Sequence, residues 1–157
     1  MTNMKVLKKS RKRIKLGDIF RFQILENKFY WGRVVSLNAS VGGFEDCILL
    51  YIYNVETNKS DEIPETLTVN NLLLGPIATN RLGWSRGYFE TIDNRELKQD
   101  DLLPVHCFFD ILYKKYFDVS GNTIDKPIEP YGDYGLDSYT SIDDKVSEAL
   151  GIEFAPE

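Results

Sequence analysis

Few residues in this chain could do covalent chemistry. His106 is the only histidine, and it stands beside Cys107. A thiol next to an imidazole suggests a nucleophile with its base. Neighbours on an extended strand point to opposite faces, however, so the two would not meet. The other cysteine, Cys47, opens the apolar run Cys47–Tyr53, and Cys107 sits among apolar residues. Both read as reduced core thiols, with a disulfide left open. Two distant cysteines and one histidine lack the spacing of a zinc site. The acid pairs Asp100-Asp101 and Asp143-Asp144 could hold a cation, but adjacent acids also make a solvated face or a helix cap. Val41-Gly42-Gly43 has neither the lysine nor the following helix of a phosphate loop. No catalytic residue, metal site or cofactor is expected, and the chain reads as a binding module, not an enzyme.

The charge distribution says what such a module would bind. Met1 to Arg33 carries ten Lys/Arg against two Asp/Glu, and the remainder nine against twenty-two. The run Lys8-Lys9-Ser10-Arg11-Lys12-Arg13 could hold nucleic acid, with a steep salt dependence through Lys8 to Lys15. No aromatic is interleaved there to stack on bases, so a flexible basic arm over residues 1–14 is the preferred reading and nucleic acid a disfavoured partner. The acidic remainder repels phosphate and attracts a basic protein. The basic start is not followed by an apolar stretch, and no run is long enough to span a membrane, so a cytoplasmic protein is expected.

A chain of 157 residues makes one domain, here residues 15–157, with enough core to need no metal or disulfide staple. The elements that would position any site are mostly strands. Gly17 to Phe22 and Phe29 to Val35 flank the polar turn Glu26-Asn27-Lys28, an antiparallel pair. Gly32 inside the second run suggests a bulge or bend of the kind that closes a small barrel. Asn38 to Gly43 reads as a loop. Cys47–Tyr53 reads as a strand buried on both faces or a central one. Ile63 to Leu74 is either a short helix or an irregular edge. Phe89 to Ile92 and Val105 to Phe109 read as short strands. Tyr113 to Val119 and Thr123-Ile124 flank Ser120-Gly121-Asn122, a second hairpin. The Pro-, Gly- and Tyr-rich stretch from Lys126 to Asp137 reads as a loop ordered by its aromatics. The spacing of Ile142, Val146, Ala149 and Leu150 predicts a terminal helix over 141–150, capped by Ser141 with Asp144 three residues on and stopped by Gly151. The expected fold is mainly β (α+β): a small, strongly bent antiparallel sheet or SH3-like partial barrel with a C-terminal helix.

These runs, in order, resemble the bacterial immunity protein 26 family. Lys15-Leu16-Gly17-Asp18-Ile19-Phe20 followed by Lys28-Phe29-Tyr30-Trp31-Gly32-Arg33-Val34 is similar to the family's opening Gly-Asp strand and its aromatic strand ending in Gly-Arg/Gln-Val. Leu50 to Asn54 resembles the next strand. Gly87-Tyr88-Phe89-Glu90-Thr91-Ile92-Asp93-Asn94 resembles the glycine–aromatic segment with its Ile-Gly-Asn turn, with Asp93 in place of the glycine. Leu103-Pro104 with Phe108, Tyr116 to Asn122 and Ser141 to Leu150 complete a likeness over Lys15 to Leu150. The resemblance implies a mostly β protein that neutralises a cognate polymorphic toxin, commonly a nuclease passed between competing bacteria, by binding it. It brings no catalytic residues with it.

Two docking sites follow as expectations. An acidic, aromatic-bearing loop and helix start, Asp133, Tyr134, Asp137, Tyr139, Asp143 and Asp144, would meet a basic toxin surface and occlude its active or substrate-binding site. Alternatively, an SH3-like barrel would use Tyr30, Trp31 and Tyr53 as an aromatic groove for a peptide or a modified lysine. Oligomeric state is open.

Overall fold

The computed structural model describes residues 1–59 and 62–157. Three strands form the spine: β1 (Asp18–Leu25), β2 (Lys28–Val41) and β3 (Phe44–Thr57), each antiparallel to the next. Glu26-Asn27 closes the first hairpin, with Asn27 at a φ of 59°. Gly42 and Gly43, at φ 63° and 84°, close the second. Two consecutive positive φ values suit the two-residue turn that matches strand twist. The expected loop over Asn38 to Gly43 is therefore mostly strand, because this glycine pair turns the chain by itself.

The spine grows at both sides. β4 (Ile77–Thr79) adds to β3, β5 (Glu90–Asn94) adds to β1, and β10 (Leu136–Asp137) runs parallel to β4. The order of this six-stranded sheet is β10-β4-β3-β2-β1-β5. A second sheet has the order β8-β7-β6-β9, from β6 (Cys107–Asp110), β7 (Lys115–Phe117), β8 (Thr123–Ile124) and β9 (Tyr131–Asp133), with β9 parallel to β6. The fold is mainly β with a C-terminal helix, as expected. Neither sheet closes, and each adds one parallel pair to the antiparallel pairing that was expected. Late segments returning beside β4 and β6 make the parallel pairs.

Period-two alternation along the spine sends side chains to two cores. Phe20, Phe22, Tyr30, Val34, Leu50 and Ile52 face one side, where Met4, Trp84, Phe89, Ile142 and Val146 cover them. Ile19, Trp31, Val35, Leu49, Tyr51 and Tyr53 face the other, covered by Leu67, Phe108 and the loop carrying Leu102 and Leu103. A sheet buried on both faces explains the continuous apolar run of β3 and the high aromatic content. Gly32 marks no bulge. It pairs directly with Phe20, and a Cβ there would lie 2.3 Å from that ring's Cζ. The glycine makes room for Phe20, whose ring packs on Trp84 and Phe89 with centroids 5.2 and 4.8 Å away. The irregularities of the β2–β3 pairing lie on either side of it, between Phe29 and Trp31 and again between Val34 and Val41. Past them, the amide of Ser40 donates to Val119 O and ties the hairpin's far end to the second sheet.

α1 (Leu82–Ser85) is one turn carrying Trp84. α2 (Tyr139–Leu150) starts two residues earlier than the sequence spacing predicts. Its cap is Ser138, whose hydroxyl accepts from the Ser141 amide at 3.2 Å, so Ser141 lies inside the helix. Gly151 ends it at a φ of 71°. Its buried stripe is Ile142 and Val146, and Ala149 is exposed. Ile63 to Leu74 is irregular, with a short 3-10 turn at Val69–Asn71 and a single bridge from Leu72 to Tyr53. No helix among the described residues is long and apolar enough to cross a membrane.

The N-terminal segment, expected as a flexible basic arm, lies along the domain. The amides of Asn3 and Met4 donate to the two carboxylate oxygens of Asp143 at 2.8 and 2.7 Å. Lys5 donates to Gln23 O, Leu7 and Lys8 to Gly87 O, and Ser10 to Trp84 O. Met4 is buried in the first core.

Candidate functional site

Pairing within the second sheet fixes which side chains look outward. Phe108 and Phe117 are partners, as are Phe109 and Tyr116, and β9 sets Asp133 beside Phe109. Phe108 turns into the core, and Tyr134 stacks on Phe117 with centroids 4.1 Å apart. By alternation, Phe109, Tyr116, Tyr131 and Asp133 share the other face. There the three rings touch: Phe109 lies 4.9 Å from Tyr116 and 6.2 Å from Tyr131, and Tyr116 lies 5.3 Å from Tyr131. Cys107, of the same parity, is fully buried and free, and Cys47 is buried and free as well.

The hairpin joining β6 to β7 projects from the end of this face. Its turn holds Ile111, Leu112 and Tyr113, which are 77%, 84% and 74% exposed. Asp110 shapes the turn by accepting from the Leu112 amide at 2.9 Å, and Lys114 follows at a φ of 55°. Three consecutive large apolar side chains in water are costly to leave bare, and clusters of this kind mark contact sites. None of the three is among the residues expected to meet a partner. The signal was an apolar triplet bracketed by Asp110 and Lys114-Lys115, one strand before the recognised turn at Ser120–Asn122.

An acidic shoulder adjoins the aromatic face. Lys145 of α2 reaches Asp133 at 2.6 Å and Asp137 at 2.7 Å. Two carboxylates therefore share one ammonium. Burial alone would lower the Lys145 pKa, but its hydrogen bonds and charge contacts with the two aspartates outweigh that and raise it. Asp137 is raised by its burial, against the pull of Lys145 and with Asp133 adding to the rise. Between this shoulder, Tyr131 and the Leu74–Ile77 segment lies a groove of about 320 Å³.

The six residues expected to meet a partner divide. Asp133 is exposed, while Tyr134 and Asp137 are half-buried beside it. Tyr139 stacks on Tyr88 with centroids 4.9 Å apart, at the start of α2, and Asp144 is exposed one turn on. Asp143 is 1% exposed and clasps the N-terminal segment, so it is an internal anchor and not a contact residue. The alternative groove does not form. Tyr30, Trp31 and Tyr53 are all buried, Tyr30 in one core and the other two in the opposite one. Adjacent strand residues cannot line one cage. The Trp31 indole donates to Thr57 Oγ1 at 2.9 Å and is satisfied inside the protein.

His106 and Cys107 also part, and His106 turns to Tyr51 instead. The Tyr51 hydroxyl accepts from the Leu103 amide at 2.9 Å and lies 2.5 Å from His106 Nε2. The two share one hydrogen bond, whose donor is set by the imidazole tautomer. Burial lowers the His106 pKa and pushes Tyr51 up to about 12. Arg33, of the Gly-Arg-Val run, is buried as well. It donates to Arg95 O at 2.8 Å and pairs with Asp101 at 3.3 Å, which pins the loop between β5 and β6. Among the described residues no group of three His, Cys, Asp or Glu side chains could hold a metal ion.

This arrangement offers an apolar knob, an aromatic face and an acidic shoulder, the composition of a protein-docking surface. Comparison with curated proteins and with solved structures gives no match. The family model described as immunity protein 26 matches residues 15–118, from before β1 to just past β7. That span holds the two-faced spine, Arg33 and the exposed hairpin tip, and it stops short of the 15–150 over which the resemblance was read. With well over half of the chain matched, this protein belongs to the immunity protein 26 family.

Proposed function

We propose that this immunity protein binds a cognate bacterial toxin domain, a nuclease passed between competing cells, in the cytoplasm of the cell it protects. It acts by occlusion and not by catalysis, and needs no cofactor. The observation that carries the reading is the exposed triplet Ile111-Leu112-Tyr113 at the end of the Phe109–Tyr116–Tyr131 face. The triplet inserts into the toxin as the buried centre of the interface, where large apolar and aromatic anchors supply most of the affinity. Asp133, Tyr134, Asp137, Tyr139 and Asp144 form the rim on one side. Their charge speeds encounter with a basic, nucleic-acid-binding surface and sets orientation.

Co-expression with the toxic domain encoded beside this gene, followed by calorimetry of the purified pair, tests this reading. Wild type is expected to restore growth and bind one to one. Leu112→Asp is expected to weaken binding by about 2 kcal/mol or more, roughly thirtyfold, with an unchanged circular dichroism spectrum. Full affinity in Leu112→Asp would remove the hairpin tip from the interface. Death of cells holding soluble wild-type protein would count against the toxin itself.

A further inference from the structure

The basic pole of the molecule carries a second feature that toxin docking at the hairpin tip does not use. β5 is the last strand of the six-stranded sheet, paired only with β1. Its outer edge therefore presents backbone N–H and C=O groups without strand partners, a template for an added strand. The N-terminal segment passes nearby without filling that edge. Its backbone amides bond to Asp143, Gln23, Gly87 and Trp84, and none bonds to β5 among the described residues. Between segment and strand lies a cleft of about 500 Å³, lined by Ile14, Trp84 and the whole of β5.

The charges around the cleft are asymmetric in availability. Lys8, Lys12, Arg13 and Lys15 line it, all exposed, and none makes an ion pair among the described residues. The acids that line it are already engaged. Asp18 accepts from the Lys15 amide and from Asn94 Nδ2, Glu90 pairs with Arg21, and Asp93 pairs with Arg95. The free charge is positive, so it suits an anionic occupant. A polynucleotide would find no exposed ring in the cleft to stack on, and could not satisfy a strand edge. An extended peptide satisfies both features at once. Its backbone completes the ladder, and side chains of one parity reach the basic rim.

We propose that the β5 edge and the basic segment Lys8–Lys15 form a second docking site, which takes an extended acidic peptide segment as an added antiparallel or parallel strand. The site sits at the opposite edge of the sheet from β10 and the acidic shoulder, so both can be occupied together. Fluorescence anisotropy with a short labelled peptide alternating Glu and Val tests it, against a Lys/Val peptide and labelled oligo-uridine. The full-length protein is expected to bind the acidic peptide alone. The Lys8→Glu/Lys12→Glu/Arg13→Glu variant is expected to bind it roughly tenfold more weakly or worse. Amide exchange within Glu90–Asn94 is expected to slow when peptide is bound. Should the triple variant fail to fold, the milder Lys12→Ala/Arg13→Ala pair takes its place, with the same exchange measurement on wild type. No binding of the acidic peptide, binding that leaves exchange in β5 unchanged, or preference for oligo-uridine would each overturn the proposal.

Discussion

A buried carboxylate and a half-buried histidine do work at the residue scale that their types alone do not announce. Asp143 gives both carboxylate oxygens to backbone amides of the N-terminal segment. Asp143→Ala would leave those amides without a partner beside a closed core, at a cost of about 2–3 kcal/mol. Urea denaturation is expected to show that loss, and protease cleavage near the N-terminus is expected to quicken. Equal stability of variant and wild type would mean that water serves those amides as well. His106 sets a pH dependence. Its ring shares a hydrogen bond with Tyr51, and its pKa lies below the ordinary 6.5 because partial burial strips water from the charged form. The unfolded chain therefore binds a proton that the folded chain resists as pH falls below 6.5, and stability drops with it. Above 6.5 the contribution is complete. In His106→Gln the slope of the urea midpoint between neutral and mildly acidic pH is expected to flatten, and an unaltered slope would assign it to other groups.

At the scale of elements, two short-range devices set where things point. The cap of α2 is Ser138 and not Ser141. Ser138→Ala is expected to cost about 1 kcal/mol, and Ser141→Ala much less, by thermal melting. The reverse order would restore the helix start that the sequence spacing suggests. Gly32 accommodates the Phe20 ring across the β1–β2 pair. Gly32→Ala is expected to cost about 1–3 kcal/mol by overpacking. The damage should centre on the Phe20–Trp84–Phe89 cluster, readable as a change in tryptophan fluorescence. A neutral substitution would show that Phe20 can swing aside.

Across the whole molecule, charge is divided between a basic N-terminal stretch, Met1 to Arg33, and an acidic remainder. If the acidic side steers a basic toxin, the association rate constant should fall several-fold from low to high salt, while Leu112→Asp should act mainly on dissociation. Stopped-flow measurement of both separates the two contributions. A salt-independent association rate would leave the hairpin tip as the anchor and strip the acidic shoulder of its steering role.

Sequence by itself determined the local grammar. Alternation and turn residues gave the three-strand spine, the glycine stop of α2 and the late hairpin, because these depend on neighbours a few positions apart. The ordered runs from Lys15 onward also carried the family. What only the tertiary structure decided was which face each residue joins and what covers it. Tyr30, Trp31 and Tyr53 look like a recognition groove in sequence and are core on both sides of one sheet. Asp143 looks like part of an acidic surface and is an anchor, because the first residues of the chain return to meet it. Ile111-Leu112-Tyr113 stands in water, because the pairing of Asp110 with Lys115 places it at a turn. Burial is a property of long-range packing, and no local pattern encodes the partner that arrives from far along the chain.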